Sequence, residues 1–134
     1  MTKNINTLCL IDDDRIQHYI IKKLINKALP SEKKLLIFSN GEEGISYLKS
    51  NNENINKIPD LILLDLNMPI MDGWQFLEEY EKIHPTLKKD IIIYILSSSD
   101  NPMDIARTKE FEKVSGYLTK PISELELKDL MNSF

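Results

Sequence analysis

Five polar residues of this chain stand where apolar runs end. Asp12 and Asp13 follow Leu8-Cys9-Leu10-Ile11, Asp65 follows Leu61 to Leu64, Ser97 follows Ile91 to Leu96, and Lys120 comes two residues after the weaker run Gly116-Tyr117-Leu118. If they meet, three carboxylates, a hydroxyl and an ammonium have a definite chemistry. Carboxylates about 4 to 6 Å apart repel by a few kcal/mol per pair at an effective dielectric near 20, so such a group calls for a cation. Mg²⁺ fits best, because it takes one or two carboxylates, several waters and a phosphate oxygen. An aspartate beside that cation can attack phosphorus, as carboxylates do in aspartyl-phosphate ATPases. Lys120 would bring a point charge to the phosphoryl oxygens and Ser97 a hydroxyl donor. The set spells phosphoryl transfer. Taken singly, an aspartate after a strand is as often a helix cap or turn former, and Asp14, directly before a helical segment, fits that role best.

Whether these residues meet depends on the elements that carry them. The runs Leu8 to Ile11, Leu35 to Phe38, Leu61 to Leu64 and Ile91 to Leu96 are apolar at consecutive positions. Strands buried on both faces read that way. Between the runs lie segments of helical periodicity, most plainly Ile16, Ile20, Leu24 and Ala28, with Ile21 and Ile25 alongside. Asn101 caps a helix opening with Pro102 and carrying Asp104, and Ser123 with Glu126 forms a capping box before Leu127, Leu130, Met131 and Phe134. Pro30 and Pro85 stop two earlier helices. Five strands alternating with five helices predict an α/β fold: a doubly wound parallel sheet with helices on both faces and right-handed crossovers. All C-terminal strand ends then share one edge, the edge where ligands bind in such sheets. The polar stretch Ser50 to Lys57 falls at the opposite edge.

Composition narrows the class. A chain of 134 residues with 42% apolar residues fits one domain, here residues 1–134 with a core from about 7 and no output domain. The net charge of -4 and 17 scattered basic residues offer no basic face, so no nucleic acid is expected. No segment reaches the roughly 20 apolar residues of a membrane span, and Met1 to Asn4 lacks an apolar signal core, so no membrane and a cytoplasmic place are expected. Cys9, inside an apolar run, reads as an inert buried thiol.

From Thr7 to Phe134 the sequence resembles the receiver domains of two-component response regulators. The resemblance is carried by Leu10-Ile11-Asp12-Asp13-Asp14, Leu63-Leu64-Asp65-Leu66-Asn67-Met68-Pro69, Asp72-Gly73, Ser97-Ser98 and Lys120-Pro121, in that order and each at an expected strand end. It implies a flavodoxin-like (βα)5 sheet of strand order 2-1-3-4-5. It implies phosphorylation of Asp65 by a histidine kinase or histidine phosphotransfer protein. Mg²⁺ would be held by Asp13, Asp65 and the backbone carbonyl of Asn67, with Asp12 acting largely through water. A cis Lys120-Pro121 peptide is usual in the family, and Asp72-Gly73 would launch the third helix. Ser97 stands at the switch hydroxyl and Tyr117 at the switch aromatic, the latter otherwise a half-buried strand residue. Phosphorylation would draw Ser97 in, turn Tyr117 inward and repack the face made by the fourth helix, fifth strand and fifth helix, which meets the downstream target.

Two departures bear on behaviour. Serine stands where threonine is commoner at 97, which keeps the hydroxyl but loosens its rotamer. Asn67 and Ser99 flank the path of attacking water, and neither is a carboxylate or, at 99, an amide, so self-dephosphorylation is expected to be slow to intermediate. His18 and His84 lack a second ligand at metal spacing and read as surface or boundary residues. Trp74, Phe76, Leu77 and Tyr80 read as the core face of the third helix, and Met68, Ile70 and Met71 as a loop for packing or for recognising the phosphodonor. The rival enzyme, a Mg²⁺-dependent phosphatase with an aspartyl nucleophile, usually has a second acid two residues on, where Asn67 stands. A flavin or nucleotide carrier would need a glycine-rich loop after the first strand. A receiver fold binding proteins without phosphorylation is the third reading.

Overall fold

A computed structural model of the chain describes residues 5–28 and 33–133. Pro30 and Phe134, expected to end a helix and to complete the last apolar stripe, lie outside the described residues. The described residues form five strands and five α-helices in strict alternation: β1 Thr7–Ile11, α1 Arg15–Ala28, β2 Lys34–Phe38, α2 Gly41–Ser50, β3 Leu61–Leu64, α3 Gly73–Ile83, β4 Ile92–Ser97, α4 Pro102–Thr108, β5 Val114–Thr119 and α5 Glu124–Asn132. Pro85 sits in a short 3-10 turn, His84–Thr86, directly after α3. The sheet is wholly parallel, in the order β2-β1-β3-β4-β5.

Alternation along each strand feeds two cores. Cys9, Ile11, Ile62 and Leu64 face α2 and α3, packing against Ile45, Leu48, Phe76, Leu77 and Tyr80. Leu8, Leu10, Leu61 and Leu63 face α1 and α5, packing against Ile21, Ile25, Leu127, Leu130 and Met131. At roughly 25 cal/mol per Å² of apolar surface removed from water, these two layers supply the bulk of the folding drive.

The α1 stripe needs correction. Ile16 is 67% exposed, whereas Ile21 and Ile25 are buried. Two i, i+4 rows lie side by side on a helix of 3.6 residues per turn. The sheet takes the row 17, 21, 25 and leaves Ile16 and part of Ile20 turned outward. Strand β5 is longer than its apolar centre suggests, because Ser115 and Thr119 occupy exposed positions of an edge strand.

Register then levels the strand ends. Ile11 pairs with Phe38 and Leu64, Leu64 with Ile95, and Ser97 with Thr119. The ladder continues one step into the loops: the Asp12 amide donates to Phe38 O at 3.0 Å, that of Asp65 to Ile11 O at 2.9 Å and that of Lys120 to Ser97 O at 2.8 Å. Backbone pairing thus carries these residues to one place.

At the other end of the sheet Asp60 performs a different task. Its Oδ2 accepts the amides of Asn6 and Thr7 at 2.9 and 3.0 Å, and its Oδ1 accepts Lys89 Nζ at 2.9 Å. Lys89 also donates to Ile58 O at 2.8 Å. Burial pushes the Asp60 carboxyl up, but the two amides and the ammonium outweigh it and hold the group below its ordinary value. No expectation from sequence pointed to this pair, since an aspartate before a strand reads as a turn residue.

Candidate functional site

Each acidic group of the pocket is placed by local chemistry. Asp14 Oδ1 accepts the Ile16 amide at 2.8 Å and so caps α1, the bland role expected of it. Asp12 Oδ1 accepts the Asp14 amide at 2.9 Å, which fixes the Asp12 side chain inward. His18 Nε2–H donates to Asp12 O at 2.6 Å, so this histidine ties α1 to the turn. His84 Nε2 lies 2.5 Å from Asp90 Oδ1, far from the pocket in the chain. Asp65 Oδ1 accepts the Leu66 amide at 2.9 Å, which points the carboxylate back over the end of β3.

The result is an acid cluster. Asp12, Asp13 and Asp65 each bring a carboxylate oxygen within 4.8 Å of the others. Asp12 and Asp65 are buried, and Asp13 is exposed at the mouth. Lys120 Nζ lies 2.7 Å from Asp12 Oδ2 and 3.6 Å from Asp65 Oδ1, bridging the two buried acids. The Lys120-Pro121 peptide is cis.

One ammonium does not balance three carboxylates. Burial, then the charge of Asp12, raises the Asp65 pKa from 3.8 to about 6, against the opposing pull of Lys120 and the Leu66 and Asn67 amides. Asp12 Oδ2 is buried and has the ion pair but no directed hydrogen bond. A buried, under-satisfied carboxylate oxygen facing two further acids is a hard oxygen-donor set short of positive charge, which fits a divalent cation such as Mg²⁺.

Ser97 and Tyr117 stand around the neighbouring loop. Ser97 is fully buried, and its Oγ accepts the Ser99 amide at 3.1 Å. Tyr117 OH donates to Ser99 O at 2.7 Å, with its ring partly buried against the core. Ser99 Oγ in turn donates to Asp104 Oδ2 at 2.7 Å in the first turn of α4. Ser99 therefore joins the hydroxyl, the aromatic residue and a helix, a role that its residue type alone did not reveal. Asn67 is exposed just beyond Asp65. Of the apolar loop, Met68 is buried, Met71 O accepts the Gly41 amide at 3.0 Å, and Ile70 stands 74% exposed at φ 70°.

Asp72 forms a capping box with Gln75, launching α3 as expected of a turn residue. Gly73 is required there by contact: a Cβ would lie 2.5 Å from Asp65 O and 2.8 Å from Leu66 Cα. A cleft of about 700 Å³ lined by residues 50–56 and Lys88 lies at the opposite end of the sheet. It brings no group of metal-binding acids together, and the one such group among the described residues is at the pocket.

Comparison with known proteins agrees with the fold. Residues 8–132 match the family described as response regulator receiver domain. The chain is 32% identical over 124 residues to the response regulator Rcp1 of Synechocystis sp., covering 92% of this chain and 80% of that protein. It is 36% identical over 113 residues to the sensor histidine kinase CheAY of Helicobacter pylori, covering 84% of this chain but 13% of that protein. In structure it is similar to a two-component response regulator from Cytophaga hutchinsonii, with a TM-score of 0.83 at 26% identity, covering 98% of this chain and 97% of that one. It also resembles the Mn²⁺-bound form of Rcp1, with a TM-score of 0.73 at 28% identity over 96% of this chain and 90% of the other. Among the described residues no helix is long and apolar enough to cross a membrane.

Proposed function

Because this chain belongs to the response regulator receiver domain family, whose members act as phosphoacceptors in signalling, we propose that Asp65 accepts a phosphoryl group from a histidine kinase or histidine phosphotransfer protein. The observation that carries the reading is the convergence of Asp12, Asp13 and Asp65 with Lys120 at one sheet edge. Asp65 attacks phosphorus through a carboxylate oxygen, an O–P bond forms, and the bond from phosphorus to the donor breaks with its electron pair leaving on the donor. Asp13, Asp65 and the Asn67 carbonyl would hold Mg²⁺, with Asp12 acting largely through water, and the ion would neutralise charge on the phosphoryl oxygens. Lys120, whose ammonium bridges Asp12 and Asp65, would turn toward the new oxygens. Ser97 releases the Ser99 amide and donates to the phosphoryl group, and Tyr117 follows the loop. Their joint movement alters the face of α4, β5 and α5, which meets the downstream protein.

The outward row of α1, with Ile16 67% and Tyr19 59% exposed beside the pocket residues, suits an apolar donor helix. Incubation with Mg²⁺ and acetyl phosphate, followed by intact-mass analysis, tests the chemistry. A base-labile adduct of one phosphoryl group is expected on the wild-type chain and not on Asp65→Asn. An adduct that persists in Asp65→Asn overturns the assignment.

A further inference from the structure

We propose that Arg107 and Trp74 form a clamp that sets the resting position of α4 against α3, and that Asp65 reaches α4 through Gly73 and Trp74 as well as through Ser97 and Tyr117. The starting observation is how little else holds α4. Of its seven residues only Thr108 is buried, and α4 contributes no residue to either core cluster among the described residues. Elements with few buried apolar contacts open most easily, so side-chain ties decide where such a helix rests.

Among the described residues there are two such ties. At its start, Asp104 accepts the Ser99 hydroxyl. At its end, the Arg107 guanidinium lies over the Trp74 ring, 4.1 Å from the centroid, and Phe111, just past the helix, stacks on the same ring at 6.1 Å and 29°. Indole is the best ring for this contact, and a planar guanidinium can stack flat on its face.

Trp74 is itself held to the phosphoacceptor. It follows Gly73, which presses on Asp65 O and Leu66 Cα so closely that a Cβ would not fit, and the Gly73 amide donates to Leu66 O at 3.0 Å. A displacement of the Asp65 backbone therefore has no slack to absorb it before the first turn of α3, and close-packed contacts shift between discrete arrangements rather than yielding gradually. The chain Asp65, Gly73, Trp74, Arg107 shares no residue with Ser97, Ser99 or Tyr117. The coupling half of the proposal rests on Asp65 being the phosphoacceptor; the clamp half does not.

Amide hydrogen exchange on the unphosphorylated full chain tests the clamp. Arg107 is exposed, so Arg107→Ala folds, and exchange across residues 103–109 is expected to rise about threefold to fivefold, the size of one partly exposed cation–π contact. Amides of β3 and β4 keep their rates, the emission of the single tryptophan shifts, and Arg107→Lys falls between. Unchanged exchange in α4, or an equal rise throughout the sheet, overturns the clamp. For the coupling, Mg²⁺ and acetyl phosphate are added and the adduct is followed by mass. Wild type is expected to show an emission change and faster exchange in α4, while in Arg107→Ala the adduct still forms and both increments fall below half. Equal increments in the two chains overturn the second route. No adduct on wild type would fault the phosphoacceptor reading instead, and the exchange data from unphosphorylated protein would still decide the clamp.

Discussion

At the scale of single residues, the pocket is a charge imbalance held in place by hydrogen bonds. Asp65 titrates near 6 rather than 3.8 because it is buried beside Asp12. In the metal-free protein the folded state keeps its proton more tightly than the unfolded state, so this group's contribution is fully present near pH 4 and is lost as pH rises to about 6. Asp65→Asn removes that loss. Its stability should match wild type near pH 4 and exceed it above pH 6 by on the order of 1 to 2 kcal/mol, read as a higher melting temperature, once water at the open mouth is allowed for. A difference that does not change with pH between 4 and 7 would sink this account. Ser99 gives a second expectation: its hydroxyl donates to Asp104, which makes it a poor group for orienting water at Asp65. Ser99→Gln or Ser99→Glu, which add a group able to do so, should shorten the lifetime of the phosphorylated form, measured by loss of the mass adduct. An unchanged lifetime counts against it. That Asp12, Asp65 and Ser97 come to one edge was legible in the sequence because each directly follows an apolar run, and Lys120, two residues past a weaker one, was less plainly so. The role of Ser99 was not legible, since a serine in a loop carries no sign of which partners its amide, carbonyl and hydroxyl will find.

Elements show the same division between what spacing reveals and what it leaves open. Strands buried on both faces announce themselves, and caps at Asn101 and Ser123 could be read from residue type and interval, whereas the one at Asp72 came from resemblance to a family. Helix rotation is harder, because adjacent i, i+4 rows of α1 are both apolar and only the sheet beneath selects Ile21 and Ile25. Long-range ion pairs leave no local trace at all. Asp60 and Lys89 are 29 positions apart, yet their pair fastens β1, β3 and the approach to β4 at the end of the sheet away from the pocket. The side chains are 9% and 17% exposed, so removing the cation leaves a poorly hydrated carboxylate. Lys89→Met should lower stability at pH 7 by about 1 to 3 kcal/mol, less than for a fully enclosed pair because some water reaches Lys89. The Asp60 carboxyl is held below 3.8, so the stability it contributes is present above that value and lost as pH falls through the folded value. The gap between wild type and Lys89→Met in thermal melts should therefore narrow in acid. A gap that persists where Asp60 is protonated would mean that packing of the lysine stem, rather than charge, carries the effect.

For the molecule as a whole, the alternation of elements fixed a parallel α/β sheet, while the order 2-1-3-4-5 came from resemblance to a family and is the order observed. That order brings β1 and β3 side by side, and so places Asp12 and Asp13 within reach of Asp65. At this edge the sheet holds like charges together against repulsion, a cost that folding must offset elsewhere. A divalent cation that binds only the folded chain returns part of it by mass action, about 2.7 kcal/mol at a concentration one hundred times its dissociation constant. Mg²⁺ should accordingly raise the melting temperature of wild type in a saturable way, and Asp13→Asn and Asp65→Asn should each diminish that rise. Without metal, Asp13→Asn should stabilise the protein by no more than a few tenths of a kcal/mol, because Asp13 is exposed and water screens its charge. Melting curves with and without Mg²⁺ for the three chains separate the possibilities. An equal rise in all of them would place the ion elsewhere, and a loss of metal-free stability in Asp13→Asn would mean that this side chain supports the turn after β1 more than it strains the pocket.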